Sequence, residues 1–244
     1  MFEREPIVGT MSVQVARILG MRIVGGEYRP GDLLPVEADL CAAIGVSRTT
    51  VREGVKMLAS KRLIEISPKT GTRVLSFADW NLLDRDVLAW RLLAQFDTKI
   101  VQDIFEMRLC IEPRASALAA QQGSEDGLRA IERRYQDVRE TLQQGGDMRL
   151  AAQADLEFHM TIINTSQNGM FITIGGAVKA ALRVSSEMLH RLPEHPMREL
   201  SLYDDVRQSI LRRNVDAASL SMTALLQASR VRLLSMMENL GQRG

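Results

Sequence analysis

The chain has 244 residues, 45% hydrophobic and 25% charged, proportions that exclude intrinsic disorder and suit one large domain or two of ordinary size. Its 31 Lys and Arg balance 30 Asp and Glu, a formal net charge of +1, so any polyanion-binding surface has to be local. The two cysteines, Cys41 and Cys110, form no Cys-x-x-Cys or Cys/His cluster, which excludes a disulfide scaffold and a cysteine zinc site and fits a reducing cytoplasm.

No apolar run reaches the roughly 18 residues that span a bilayer, and Met1-Phe2-Glu3-Arg4-Glu5-Pro6 lacks the apolar core of a signal peptide. A cytoplasmic protein with no membrane partner is the expectation. Aromatic content is only 5%, which favours helices over a sandwich or barrel. Glycine and proline cluster between residues 20 and 75, so a small turn-rich domain should precede a larger helical one.

In chain order, Val13–Ile23 reads as a helix carrying Val13, Ala16, Ile18, Leu19 and Ile23, stopped by Gly25-Gly26. Tyr28-Arg29-Pro30-Gly31-Asp32 is turn chemistry. Glu37–Ile44 reads as a short helix with Leu40, Cys41 and Ile44 on one face, closed by Gly45. Ser47 is placed to cap a second helix, Arg48–Ser60, with Val51, Val55 and Leu58 buried and Thr50 completing a partial capping box. Two helices joined by a tight glycine turn make a helix-turn-helix. Leu63–Ile66 and Thr72–Leu75 flank a Pro/Gly turn and read as a β-hairpin, the wing of a winged helix-turn-helix.

Residues 77–98, with Trp80 and Trp90, are too apolar for a flexible linker and read as a connector holding a short helix packed on one domain. Six helical runs follow: Lys99–Gln122, Glu125–Gln144, Met148–Ser166, Met170–Leu192, Met197–Arg213 and Val215–Leu240. The fold class is mainly α: a winged head over residues 1–76 and an antiparallel helical bundle over 99–244.

Chemistry concentrates in two places. Between Val46 and Arg73 seven Lys or Arg stand against Glu53 and Glu65. A helix-turn-helix sets the start of its second helix in the major groove, where arginine grips guanine bidentately. Arg48 and Arg52 are one turn apart at that position, with Thr49 and Thr50 able to reach phosphates or a thymine methyl. Lys69, Gly71 and Arg73 flank the wing turn. The second place is the helix Met148–Ser166, where Asp155 and His159 share a face and could hold one divalent ion or simply hydrogen-bond each other.

Residues 13–75 resemble the winged-helix domain of GntR-type bacterial transcription regulators. The resemblance is carried by Tyr28-Arg29-Pro30-Gly31-Asp32-Leu33-Leu34-Pro35, Gly45-Val46-Ser47-Arg48-Thr49-Thr50-Val51-Arg52-Glu53, Leu63-Ile64 and Gly71-Thr72-Arg73-Val74. It implies double-stranded DNA as partner, with Arg48, Arg52 and Gly71 as contacts, and a homodimer on an inverted-repeat operator. The family usually has arginine after the glutamate of the Pro-x-Glu turn; Ala38 stands there, so one contact is lost.

Residues 99–235 resemble the FCD ligand-binding domain of the FadR subgroup, through Asp155-Leu156-Glu157-Phe158-His159 with Asn168 beyond it, and Glu106-Met107-Arg108 with Glu112. In that domain two later histidines complete a metal site; those positions here fall on Tyr203 and Leu225. The resemblance therefore leaves Asp155 and His159 as an incomplete metal site, with a weakly held divalent ion such as zinc as the sole candidate cofactor, or a site converted to direct ligand binding. Arg108 and Arg183 should line the bundle, where arginine's fork matches a carboxylate, although Glu112 is one turn from Arg108 and can pair with it instead. The effector-site candidates are Arg108, Asp155, His159, Arg183 and Tyr203.

The stretch Asp79–Trp90 is similar to the connector of galactonate- and other sugar-acid-responsive repressors. The expectation is a DNA-binding regulator, not an enzyme, most simply a repressor released by a small carboxylate such as an aldonate or uronate. Two rivals stay open: a regulator sensing an acyl thioester or other organic acid, and a metal-dependent hydrolase, which lacks a recognisable nucleophile or base.

Overall fold

The computed structural model describes residues 10–94, 98–143, 147–176, 179 and 200–241, and the chain divides into two compact units, Met1–Gln95 and Phe96–Gly244. In the first unit the elements are α1 (Met11–Val24), α2 (Glu37–Ile44), α3 (Arg48–Ser60), the strands β1 (Ile64–Ser67) and β2 (Gly71–Val74), and α4 (Arg85–Ala94).

The helix α1 starts two residues earlier than its apolar spacing predicts, and its inward face is Val15, Ala16, Leu19 and Ile23. Val13, expected on that face, is 39% exposed. The bounds of α2 and α3 coincide with those predicted. Gly45 closes α2, its amide donating to the Cys41 carbonyl, and Ser47 caps α3 by accepting the Thr50 amide at 3.2 Å. Val51, Val55 and Leu58 pack inward with Leu19 and Ile23 of α1, Leu40 of α2, and Ile64 and Val74 of the hairpin.

At the end of α3 the chain reverses through Arg62, at φ 58°, while the Leu63 amide bonds back to the Leu58 carbonyl. That six-residue closure satisfies an orphan carbonyl and sends the chain into β1. The strands β1 and β2 pair antiparallel with Ile64 opposite Val74, Glu65 opposite Arg73, Ile66 opposite Thr72 and Ser67 opposite Gly71. The first strand thus lies one residue later than the alternation of Leu63–Ile66 predicts.

The expected connector helix exists as α4 and folds with the first unit. Val87 and Trp90 join its core. Trp90 packs so closely on α1 that a Cβ on Gly20 would sit 2.3 Å from the indole ring, so only glycine fits there. Lys61, at the end of α3, reaches Asp84 (2.8 and 2.9 Å) and Asp86 (2.8 Å) at the start of α4. Asp84 also caps α4, accepting the amides of Asp86 and Val87.

The second unit is all helical among the described residues: α5 (Thr98–Gln122), α6 (Glu125–Gln143), α7 (Met148–Thr165), α8 (169–176), α9 (Leu200–Leu211) and α10 (Val215–Gly241). The predicted helices Met170–Leu192 and Met197–Arg213 lie partly outside the described residues. The long α5 and α10 pack together, α6 lies on α7, and α9 on α10. Their shared core includes Ile131 and Val138 of α6, Phe158 and Ile162 of α7, Val206 and Ile210 of α9, and Met222 and Leu225 of α10.

Candidate functional site

On the head, the exposed part of α3 carries Arg48, Thr49 and Arg52. Thr50, expected beside them as a contact, is turned to the cap: its hydroxyl lies 2.8 Å from Ser47 Oγ. Arg52 is gripped from α2 by Glu37, with Nε donating to Oε1 at 3.0 Å and Nη2 to Oε2 at 2.9 Å. The Arg52 hydrogen bond holds the Glu37 carboxyl below its usual range. On the wing Lys69 is exposed, Gly71 has φ +85°, and Arg73 donates from Nη1 to the Gly31 carbonyl at 2.6 Å. Arg73 therefore braces the hairpin against the Tyr28–Asp32 turn as well as presenting charge. Glu37 is the partner of Arg52 that the sequence did not reveal, because no local pattern links the two.

Inside the second unit, helices α5, α7 and α9 bring four of the five predicted effector residues together; Arg183 lies outside the described residues. Arg108 Nε donates to Glu112 Oε1 at 2.5 Å, His159 Nδ1 lies 2.6 Å from Glu112 Oε2, His159 Nε2 lies 3.3 Å from Asp155 Oδ1, and the Tyr203 hydroxyl donates to Asp155 Oδ1 at 2.8 Å. Arg108, Glu112, His159 and Tyr203 are at most 4% exposed. The Asp155 side chain is 20% exposed.

This packing dictates the charges. Burial pushes Glu112 toward the neutral form, but Arg108 first and His159 next outweigh it and hold its carboxyl at about 2. Burial likewise opposes charge on His159, but Glu112 and then Asp155 raise it to about 9. Burial raises Asp155 too, and His159 and Arg108 bring it below its usual range. Burial and the Asp155 charge push the Tyr203 phenol well up, so it stays protonated and donates. At neutral pH two cations, Arg108 and His159, balance two carboxylates, with His159 Nδ1 hydrogen-bonded to Glu112 and Nε2 in ion-pair contact with Asp155.

The donor set does not fit a tightly held metal. A structural or catalytic zinc wants three or four protein ligands. Asp155 and His159 supply two, Tyr203 offers a protonated phenol, and Leu225 is buried at 2% exposure in the apolar core. Among the described residues no group of three or more His, Cys, Asp or Glu could hold an ion. Arg108 directs Nε and Nη2 at Glu112; among the described residues Nη1 has no hydrogen-bond partner.

Comparison with known proteins agrees with both halves. Residues 11–74 match the gntR family of bacterial regulatory proteins, and residues 103–228 match the FCD domain. The galactonate operon transcriptional repressor of Escherichia coli is 29% identical over 220 residues, covering 88% of this chain and 93% of its own. The uncharacterized HTH-type transcriptional regulator YieP of the same organism is 29% identical over 218 residues, covering 89% and 93%. Among solved structures, Lar, which controls expression of the Listeria monocytogenes agr system, superposes with a TM-score of 0.64 at 16% identity over 93% of this chain and 98% of its own. That likeness carries the fold alone. The gntR-type head implies DNA binding and the FCD domain a small-molecule effector; the relatives are regulators, not enzymes. No helix among the described residues is long and apolar enough to cross a membrane. The chain belongs to the gntR family of bacterial transcription regulators and carries an FCD effector domain behind its winged head.

Proposed function

We propose that the protein is a homodimeric repressor of a catabolic operon, bound to an inverted repeat and released by a small sugar acid, an aldonate or uronate, without a metal ion. The observation that carries this reading is the buried chain Arg108–Glu112–His159–Asp155–Tyr203. A polyhydroxy acid complements it: the carboxylate meets Nη1 of Arg108, and hydroxyls meet the accepting oxygens of Asp155. His159 supplies by its own imidazolium the positive charge that a metal would otherwise bring. The similarity to a galactonate operon repressor over nearly the whole chain supports the same effector class. An acyl thioester would want apolar walls, and five polar side chains meet at this site instead.

On the head, Arg48, Thr49, Arg52, Lys69, Gly71 and Arg73 are the DNA-facing residues of this reading. Release requires that the acid bind more tightly to a dimer arrangement whose reading helices do not match the half-site spacing. Coupling of about 1–3 kcal/mol lowers operator affinity roughly 5- to 150-fold.

The test is thermal unfolding against a panel of hexonates, hexuronates, dicarboxylates and acyl thioesters, each with chelator and with zinc, followed by DNA binding with the acids that bind. One aldonate or uronate should raise the midpoint in chelator, by mass action, and weaken DNA binding. A rise only with zinc would return Asp155 and His159 to metal coordination. Unchanged DNA affinity with every acid would end the switch reading while leaving the DNA reading intact.

A further inference from the structure

The recognition helix presents two arginines on one face, and the structure treats them differently. Arg48 makes no hydrogen bond or ion pair among the described residues. Arg52 is held by both oxygens of Glu37, a residue on another helix and 15 positions away. The grip uses the Nε hydrogen and one hydrogen of Nη2. What stays outward is the end of the fork, Nη1 with the second hydrogen of Nη2. That edge has the parallel pair of donors that guanine O6 and N7 accept in the major groove.

Glu37 sits in the first turn of α2, where the helix dipole favours its negative charge. Its carboxylate lies within 3.0 Å of the guanidinium and carries the sign that phosphates repel. For Arg52 to swing onto the DNA backbone, it would have to abandon Glu37 and leave that charge without its hydrogen-bonded partner in the field of the phosphates, with only the more distant charge of Arg48 to offset it. The pair therefore both aims Arg52 and discourages its use as a general phosphate clamp.

Building on the DNA-binding reading above, we propose that Glu37 is a positioning residue that fixes Arg52 for end-on reading of one guanine in each half-site. Arg52 thereby sets the sequence preference, while Arg48 is an adaptable contact.

The test begins with enrichment of a randomised duplex library on the full-length protein, which supplies the preferred site. Affinities are then measured for that duplex and for its single base-pair variants, with wild type, R52A, E37Q and the double variant, each checked for native circular dichroism. R52A should remove the preference at one G·C pair per half-site, a loss of roughly 5- to 150-fold. E37Q should weaken the preference at the same pair by at least ~5-fold, while affinity for random duplex holds or rises. The double variant should match R52A alone, since positioning acts through Arg52. Full preference in E37Q, or a loss at a pair that R52A does not affect, overturns the proposal. If R52A itself leaves every base preference unchanged, the assignment of Arg52 as a DNA contact is what fails. Should E37Q misfold, E37D carries the same comparison, because the shortened carboxylate can no longer reach both nitrogens.

Discussion

Glu112 and His159 lie 47 residues apart in the chain and share a buried contact of 2.6 Å. It makes stability depend on pH at both ends. His159 is raised to about 9 from 6.5, so its contribution is complete below about 6.5 and is lost as pH rises through 9. Glu112 is lowered to about 2 from 4.5, so its contribution is complete above about 4.5 and is lost as pH falls toward 2. The difference in unfolding free energy between wild type and His159→Gln should therefore be largest between about pH 4.5 and 6.5. It should shrink by on the order of 1–3 kcal/mol above pH 9. A difference that stays constant across that range would contradict the protonated state of His159.

Replacing Glu112 removes the common acceptor of Arg108 and His159. Glu112→Gln leaves two buried cations with Asp155 alone to offset them, and should cost about 3–5 kcal/mol in urea unfolding. Asp126→Asn breaks the surface pair with Arg129, whose aspartate side chain is 92% exposed, and should leave the urea midpoint where it is. Equal effects of the two substitutions would mean that the interior network contributes no more than a surface pair.

Gly20→Ala drives a methyl into the Trp90 ring, 2.3 to 2.4 Å from its carbons on α1's packed face. Either α1 or α4 has to shift, at a cost of about 1–3 kcal/mol. Trp80 and Trp90 are the two tryptophans of the chain, so emission reports this region directly. A red shift and a lower melting midpoint are expected; an unchanged spectrum would show that the contact relaxes without consequence.

Asp84 serves both Lys61 and the first amides of α4. Asp84→Ala should destabilise the N-terminus of α4 by about 1–2 kcal/mol. Hydrogen exchange should find faster exchange in α4, with the hairpin amides unchanged. Acceleration spread evenly over the first unit would instead indicate a global loss of stability.

Much of this architecture was legible because it is local. Gly45 and Ser47 stand at the two sides of the helix-turn-helix turn, and the bounds of α2 and α3 follow from them. The pairing of Arg108 with Glu112, one turn apart, was visible for the same reason. Where the reading slipped, the competing cause was packing. Val13 and Val15 are both apolar neighbours on α1, and only the position of α3 decides that Val15 is inside. Strand β1 starts at Ile64 because Leu63 is occupied in closing the end of α3. Contacts over long separations were not readable at all. Nothing in the sequence places Arg73 on the Gly31 carbonyl, Glu37 on Arg52, or Glu112 on Nδ1 of His159.

The attachment of α4 bears on how a signal from the effector domain can reach DNA. Lys61 stands at the C-cap of the reading helix and is tied to both acids at the start of α4, while Trp90 is seated against Gly20 of α1. A pull delivered at the end of α4 therefore meets a helix that is itself fastened to the head. If such a head turns or translates as one piece, α3 stays intact and its arginines keep their register with one another. In the proposed dimer, regulation would then act on the distance and angle between two intact heads, and a single half-site should be bound equally well with or without the effector.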